Sequence, residues 1–211
     1  MSNGTKSPEA AEGEPAGACQ TEIPLFPLNA VLYPGGPLPL RIFEPRYVDM
    51  VRRCMRDGSS FGVVLIAAGP EAGGPIESTA PVGTSARIID FFPLPDGLLG
   101  IYCLGARKFR LLRRRQQSDG LNLGEVLWLP EEPAVELPAE YERLGRLMSR
   151  MLPELGELYE AVEQNLEDAA WVGYRLAELL PVSLSDKQQW LELDDPLARL
   201  ALIDPLIRRD A

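Results

Sequence analysis

Histidine is absent from the whole 211-residue chain. That absence removes the imidazole general base, the commonest side-chain metal ligand and the Ser-His and Cys-His pairings of nucleophilic hydrolases. Lysine is almost as scarce. The three lysines follow Thr5, Arg107 and Asp186, so no Gly-Lys pair exists and the phosphate-cradling loop of P-loop nucleotidases is excluded. Three cysteines, at 19, 54 and 103, are an odd number at wide spacing. They suggest neither a disulfide framework nor a zinc site; Cys54 and Cys103 read as small core residues and Cys19 falls in a polar tail. The longest apolar run, Val63 to Ala68, is far too short for a bilayer, and the first twenty residues hold no hydrophobic stretch of the signal-peptide kind. No metal, cofactor or membrane partner is expected, and the cytoplasm is the expected compartment.

What remains is an ordinary globular composition, 45% apolar, enough for one good core or two small cores in contact. Residues 1–21, dominated by Gly, Pro, Ala, Ser and Glu, cannot offset the entropy of ordering and are expected to form a disordered tail. From 22 to 130 the signals are strand-like. Prolines at 24, 27, 34, 37 and 39 cannot donate to a ladder, so the apolar residues between them predict short or edge strands. Leu38 to Phe43 reads as a strand entering a helix that opens at Pro45, carries Tyr47, Met50, Val51 and Cys54 on one face and closes at Asp57-Gly58. Arg41, Glu44 and Arg46 then form a charge cluster fixing the strand-to-helix corner. Further strands are predicted over Phe61–Ala67, Val82–Pro93, Leu98–Leu104, Phe109–Arg113 and Leu121–Leu129, with Pro95-Asp96-Gly97 as a hairpin turn. The Gly- and Pro-rich segment Ala68 to Pro81 is a long loop and a candidate functional surface.

The period changes after Pro130-Glu131-Glu132-Pro133. Tyr141, Leu144, Leu147, Met148 and Met151 follow helical spacing, and Leu155, Leu158, Tyr159 and Val162 continue it beyond Pro153. Another helix runs from Asp168 towards Pro181, Ser185-Asp186-Lys187-Gln188 reads as a capping box, and Asp195-Pro196 opens a last helix that Pro205 should kink or end. The expected architecture is α+β: an irregular β-rich subdomain over 22–130, then a helical bundle over 131–211.

Charge divides along the same line. Residues 1–130 hold 13 acidic and 13 basic side chains and 131–211 hold 18 and 8, so the net charge of −10 lies in the helical half. A polyanion would be repelled there. The exception is Arg107-Lys108-Phe109-Arg110-Leu111-Leu112-Arg113-Arg114-Arg115, six cations in nine positions. Taken alone it suggests nucleic acid or an acidic partner; the bland reading, which we favour, is an edge strand guarded against pairing by positive charge.

Several stretches resemble one family. Glu22-Ile23-Pro24-Leu25-Phe26-Pro27-Leu28, the later Leu38-Pro39-Leu40-Arg41-Ile42-Phe43-Glu44-Pro45-Arg46-Tyr47, Phe61-Gly62-Val63-Val64-Leu65 and Gly105-Ala106-Arg107-Lys108-Phe109 are similar to landmarks of the substrate-binding domain found at the N-terminus of ATP-dependent Lon proteases and in small stand-alone relatives. Leu180-Pro181, Lys187-Gln188, Leu191-Glu192 and Arg199-Leu200 continue the likeness, which spans roughly 22 to 207. The resemblance implies a PUA-like β-fold packed on helices, with the β-half and its grooves used for protein recognition. It implies a non-catalytic module that binds unfolded or exposed polypeptide and serves as an adaptor in protein quality control; a weak homo-oligomer is a separate expectation.

Exposed aromatics near the β-half would make the contacts. Phe91 and Phe92 are neighbours on one strand and must point to opposite faces, while Tyr33 and Trp128 are further candidates. The rival reading is an RNA-binding module of the same fold using Arg107, Lys108, Arg110, Arg113, Arg114 and Arg115. Lacking a phosphate loop and a histidine-based nucleophile system, the purified protein should neither hydrolyse ATP nor cleave casein-like substrates. A coupled ATPase assay and a fluorescent casein assay check this, and turnover that survives further purification would contradict it.

Overall fold

The computed structural model describes residues 20–209 apart from 72, 73, 75 and 96. Most of the tail expected over 1–21, Cys19 and Asp96 of the hairpin turn therefore lie outside the described residues. Gln20 and Thr21 already belong to the first strand.

That strand, β1 (Gln20–Leu28), is neither short nor at an edge. Residues 20–25 pair antiparallel with β7 (Asn122–Trp128), and residues 25–28 pair in parallel with β3 (Phe61–Ala68). The strand changes partner at Leu25, so Pro24 and Pro27 each stand where it has a ladder neighbour on one side only. The true edge is β2 (Pro37–Ile42), which pairs only with β6 (Leu99–Gln116) and carries Pro37 and Pro39. With β4 (Ser78–Thr79) and β5 (Val82–Pro93) the sheet order is β1-β7-β6-β5-β3-β4, and the β1–β3 pairing curls the layer.

The two strands expected over 98–113 are one. Gly105 changes the neighbour of β6 without breaking its conformation: residues 99–104 face β2, and from Phe109 onward β7 takes that side. At the changeover the Tyr33–Gly36 turn crosses the strand, with Gly35 N–H donating to Gly105 O and Gly105 N–H to Gly36 O, both at 2.8 Å. A Cβ on Gly105 would come 2.0 Å from the Tyr33 carbonyl oxygen, so only glycine permits the crossing.

The helix α1 (Pro45–Asp57) begins at Pro45 and ends on left-handed Gly58, and its stripe of Tyr47, Met50, Val51 and Cys54 packs on Phe26, Phe61 and Ile101 of the sheet. Later helices are α2 (Glu142–Met151), α3 (Ala169–Leu179), α4 (Leu184–Glu192) and α5 (Pro196–Arg209). Three local expectations change. Helix does not continue through Val162, because Pro153 cannot donate and Gly156 takes a φ of 66°; two short 3-10 turns, Leu152–Leu155 and Glu157–Tyr159, replace it. The cap of α4 is Ser183 rather than Ser185, its hydroxyl accepting from the Asp186 amide at 3.1 Å and donating to the Asp186 carboxylate at 2.6 Å. Finally, α5 runs through Pro205, whose ring is exposed, as is Ala201, whose carbonyl the proline leaves without a helical donor.

The halves share one core. Tyr33 and Val82 from the β-half cluster with Leu144, Met148, Val172, Trp190 and Leu200 of the helices. Beside it lies a buried ion cluster built on Glu132, whose side chain is 5% exposed. Arg199 donates to both its carboxylate oxygens, at 3.0 and 2.7 Å, Lys108 Nζ donates at 2.8 Å, and the Tyr174 hydroxyl donates as well. Lys108 also reaches Leu191 O, Leu193 O and Asp194, and Arg199 reaches Trp190 O and Leu193 O. Burial alone would raise the Glu132 carboxyl, but the Arg199 pair, helped by Lys108 and Tyr174, outweighs it and holds the group below its ordinary 4.5.

Glu132→Ala would leave buried Arg199 without a carboxylate and Lys108 with only the exposed Asp194, and should cost about 3–5 kcal/mol, a large part of a typical domain's stability, read as a lower urea midpoint. The sign of the pH effect follows from the lowered carboxyl. Its stabilisation is present above about pH 4.5 and is lost as pH falls through the folded-state value, so acid titration should unfold the wild type cooperatively below that point.

Candidate functional site

The strand β5 has an open side. Thr84 to Ala86 lie between β3 and β6, but β3 begins at Phe61, the partner of Ala86, so among the described residues Arg87 to Pro93 pair with β6 alone. A register shift between Ile88 and Asp90 interrupts the regular alternation here. The last turn of α1 and the loop after it face this stretch across a cavity of about 340 Å³, lined by Cys54, Met55, Gly58, Ser59 and β5 residues 87–91. Phe91 is 57% exposed and Met55 43% exposed on its margin.

The same strand borders a second cleft, of about 550 Å³, between β2, β5 and β6 on one side and the segment after Gly156 on the other. Ile89, Tyr102, Leu104 and Leu158 supply apolar lining, and Arg87, Asp90, Glu157 and Glu160 carry the charge. The helical wall is pinned from behind. Tyr159 is buried, and its hydroxyl donates to Glu178 at 3.0 Å; the same carboxylate receives Arg175 at 2.8 Å. Burial pushes the Glu178 carboxyl up to about 7, with Arg175 opposing. Arg175 also donates to Pro34 O at 2.8 Å, so the cleft wall and the Tyr33–Gly36 turn hang on one side-chain pair.

Of the four aromatics singled out from the sequence, the structure brings only Phe91 to this region as an exposed ring. Phe92 does point to the other face, half-buried, with its ring 4.7 Å from that of Tyr102 and resting on Gly100, where a Cβ would come 2.4 Å from it. Tyr33 is a correction: it is 0% exposed, because its turn folds under α3 and α4, its ring lies 5.4 Å from that of Tyr174, and its hydroxyl donates to Lys187 O at 2.7 Å. Trp128 lines neither cleft; it is half-buried, edge-on to Phe109 at 6.0 Å, with its indole N–H on Thr21.

Among the described residues the basic segment has partner strands on both sides only at Phe109 and Arg110, while Arg113 to Arg115 pair with β7 alone and so lie on an edge, and most of its charge has partners. Up to Arg110 it is flanked by β5, and from Phe109 by β7. Lys108 is 4% exposed in the Glu132 cluster, Arg115 pairs with Glu22 through two bonds of 2.8 and 2.7 Å, and Arg114 ties Asn122 to the carbonyls of Ile76 and Glu77. Arg107 lies 5.4 Å over the Trp128 ring. Arg110 and Arg113 are left as exposed cations, the latter opposite Glu125 in the ladder. At the strand-to-helix corner Arg46 pairs with Glu44 at 2.7 Å, donates to Gly120 O and stacks over Tyr47, while Arg41 is exposed on β2.

Sequence reasoning missed Met55, Ile89, Tyr102 and Leu158. Met55 had a signal: it stands off the Tyr47-Met50-Val51-Cys54 stripe, which turns it outward. Leu158 had none, since the segment reads as continuous helix. Among the described residues no group of three or more His, Cys, Asp or Glu could hold a metal ion, and burial raises both the Cys54 and the Cys103 thiols, the latter to about 12. No helix among the described residues is long and apolar enough to cross a membrane.

The chain is similar to known proteins over most of its length. The chain is 26% identical to a Lon protease of Cytophaga hutchinsonii over 89% of its own length, and 28% identical to the protein cereblon of Xenopus tropicalis over 82%. It spans about a quarter of the length of the Lon proteases it matches and 38% of cereblon. A crystal structure of a Lon N-terminal domain protein from Xanthomonas campestris superposes with a TM-score of 0.72 at 43% identity, covering 87% of this chain and 96% of that one. The N-terminal domain of a Mycobacterium avium complex Lon protease shares the fold alone, with a TM-score of 0.61 at 18% identity, over 87% of this chain and 96% of that one. The family model for the ATP-dependent protease La (LON) substrate-binding domain matches residues 22–209, and the chain belongs to that family.

Proposed function

We propose that this chain is a non-catalytic recognition module that takes up exposed or unfolded polypeptide along β5 and passes it on as an adaptor in cytoplasmic protein quality control. The observation that carries the reading is the open Arg87–Pro93 edge with Phe91 and Met55 beside it. An unpaired edge supplies main-chain hydrogen bonds that any extended segment can use, and the flanking apolar side chains supply the preference for hydrophobic segments. The edge is guarded against indiscriminate pairing: Asp90 accepts from the Phe91 amide at 2.8 Å, and Pro93 ends the strand without a donor. A disordered client loses about 2–5 kcal/mol in ordering, so a contact of this size supports affinity of about micromolar order.

Exchanging Phe91 and Met55 together for Ser removes the apolar margin without opening a core, since both side chains are exposed. Fluorescence anisotropy with a labelled, reduced and unfolded protein should show binding weakened about tenfold or more, from the roughly 1.5–3 kcal/mol that burying a large apolar side chain contributes. Circular dichroism should be unchanged. Retained affinity in the folded variant would overturn the site.

The basic segment gives the complementary test. Arg110→Ala with Arg113→Ala should leave client binding and stability within about 0.5 kcal/mol, whereas Arg114→Ala should cost about 1–3 kcal/mol of stability through the lost Asn122, Ile76 and Glu77 bonds. Steeply salt-dependent RNA binding lost in the Arg110 and Arg113 variant would favour a nucleic-acid module instead.

A further inference from the structure

We infer that the clients of this site are apolar segments flanked by Lys or Arg, an assignment that rests on the polypeptide-binding reading and narrows it. The cleft between the sheet and the segment after Gly156 is apolar in its lining, through Ile89, Tyr102, Leu104 and Leu158, and acidic at its rim, where Asp90, Glu157 and Glu160 outnumber Arg87. The side chains of Glu157 and Glu160 are exposed and make no ion pair or hydrogen bond with any described residue. They are therefore available to a bound chain, unlike the cations of β6, most of which are committed internally. The rim belongs to the half that carries the chain's entire net charge, 18 acidic against 8 basic side chains over 131–211. An incoming segment meets a negative potential at the helical wall before it reaches the apolar lining, which favours cationic flanks and rejects acidic ones. The length of the site suits this arrangement. Arg87 to Pro93 offers seven residues of strand, so a client laid along it brings its flanks to the cleft margins while its apolar centre lies against Ile89 and Phe91.

The test uses three labelled peptides that share one apolar, strand-prone centre and differ in flanks of Lys, Gln or Glu. Each is titrated by anisotropy against the full chain at 50 and 300 mM salt. The Lys-flanked peptide should bind about five- to tenfold more tightly than the Gln-flanked one at low salt, and the Glu-flanked one more weakly still. The preference should shrink at high salt and in Glu157→Gln with Glu160→Gln, yet persist in Glu131→Gln with Glu140→Gln, which removes equal charge from exposed positions outside the cleft. Equal binding of all three peptides would overturn the charge assignment while leaving the polypeptide site standing. A preference that survives loss of Glu157 and Glu160 would also overturn it, placing the selecting charge elsewhere. No binding by any peptide would overturn both readings. Peptide binding that competes with self-association, seen by sedimentation velocity, would make a second copy of the chain the occupant and overturn the assignment.

Discussion

One carboxylate, that of Glu132, supplies the counter-charge for two buried cations, Lys108 lying 24 residues before it and Arg199 lying 67 after it. Each cation on its own would be intolerable in the interior. Together the three hold β6, the connector after β7 and the last helix in one place, and Lys108 and Arg199 also donate to carbonyls at the C-terminal end of α4 or just beyond it. A pair of apolar side chains could fill the same volume, but it would not fix which carbonyls the chain ends meet. The shared core around Tyr33, Val82 and Trp190 is positioned by this arrangement as much as it supports it.

The open edge of β5 follows from how strands change partners. On β1 the change occurs at Leu25, and on β6 it occurs around Gly105, so both strands remain paired on either side of the switch. On β5 no second partner arrives after Ala86, because the chain before β3 is occupied by α1 and its left-handed exit at Gly58. The unpaired stretch is thus a product of helix placement. Its apolar margin comes from a helix and a strand that meet only in three dimensions, which is why Met55 and Phe91 are 36 positions apart in sequence yet line one cavity.

Most elements were legible because local rules agreed with tertiary demands. Pro45 and Gly58 bracket α1, and Val82 and Pro93 bound β5, in both the sequence reading and the structure. Lys187, Gln188 and Arg199, which carry the family resemblance in the helical half, all prove to clasp backbone or charge across element boundaries: Lys187 holds Glu178 O, Gln188 holds Val82 O and Arg199 holds Glu132. What could not be read was partner choice. Proline on β1 implies an edge only if each strand keeps one neighbour along its length, and a run of cations on β6 implies a surface only if no acid returns from far along the chain. The Tyr33 turn misled for the same reason: Gly35-Gly36 marks a tight turn, but its burial depends on α3, where Glu178 fills the space that a side chain on Gly36 would need. The candidate site was half legible, since strand alternation exposes one of Phe91 and Phe92 while the cleft wall after Gly156 depends on a helix break that periodicity does not register.

The position of Lys108 also bears on how the protein is made. A ribosome delivers the strands first, and by the time residue 130 has emerged all seven are available for pairing. At that moment Lys108 has neither Glu132 nor the carbonyls of Leu191 and Leu193, and Val82 lacks the helices that cover it. A nascent β-layer would have to keep this ammonium hydrated, with the adjoining surface uncovered, until α4 and α5 are complete. With synthesis at about 5–20 residues per second, the 79 residues from 131 to the end of α5 at Arg209 keep that surface open for about 4 to 16 seconds. If the chain takes up unfolded polypeptide as proposed, it is itself, for that interval, a chain of the kind it would bind.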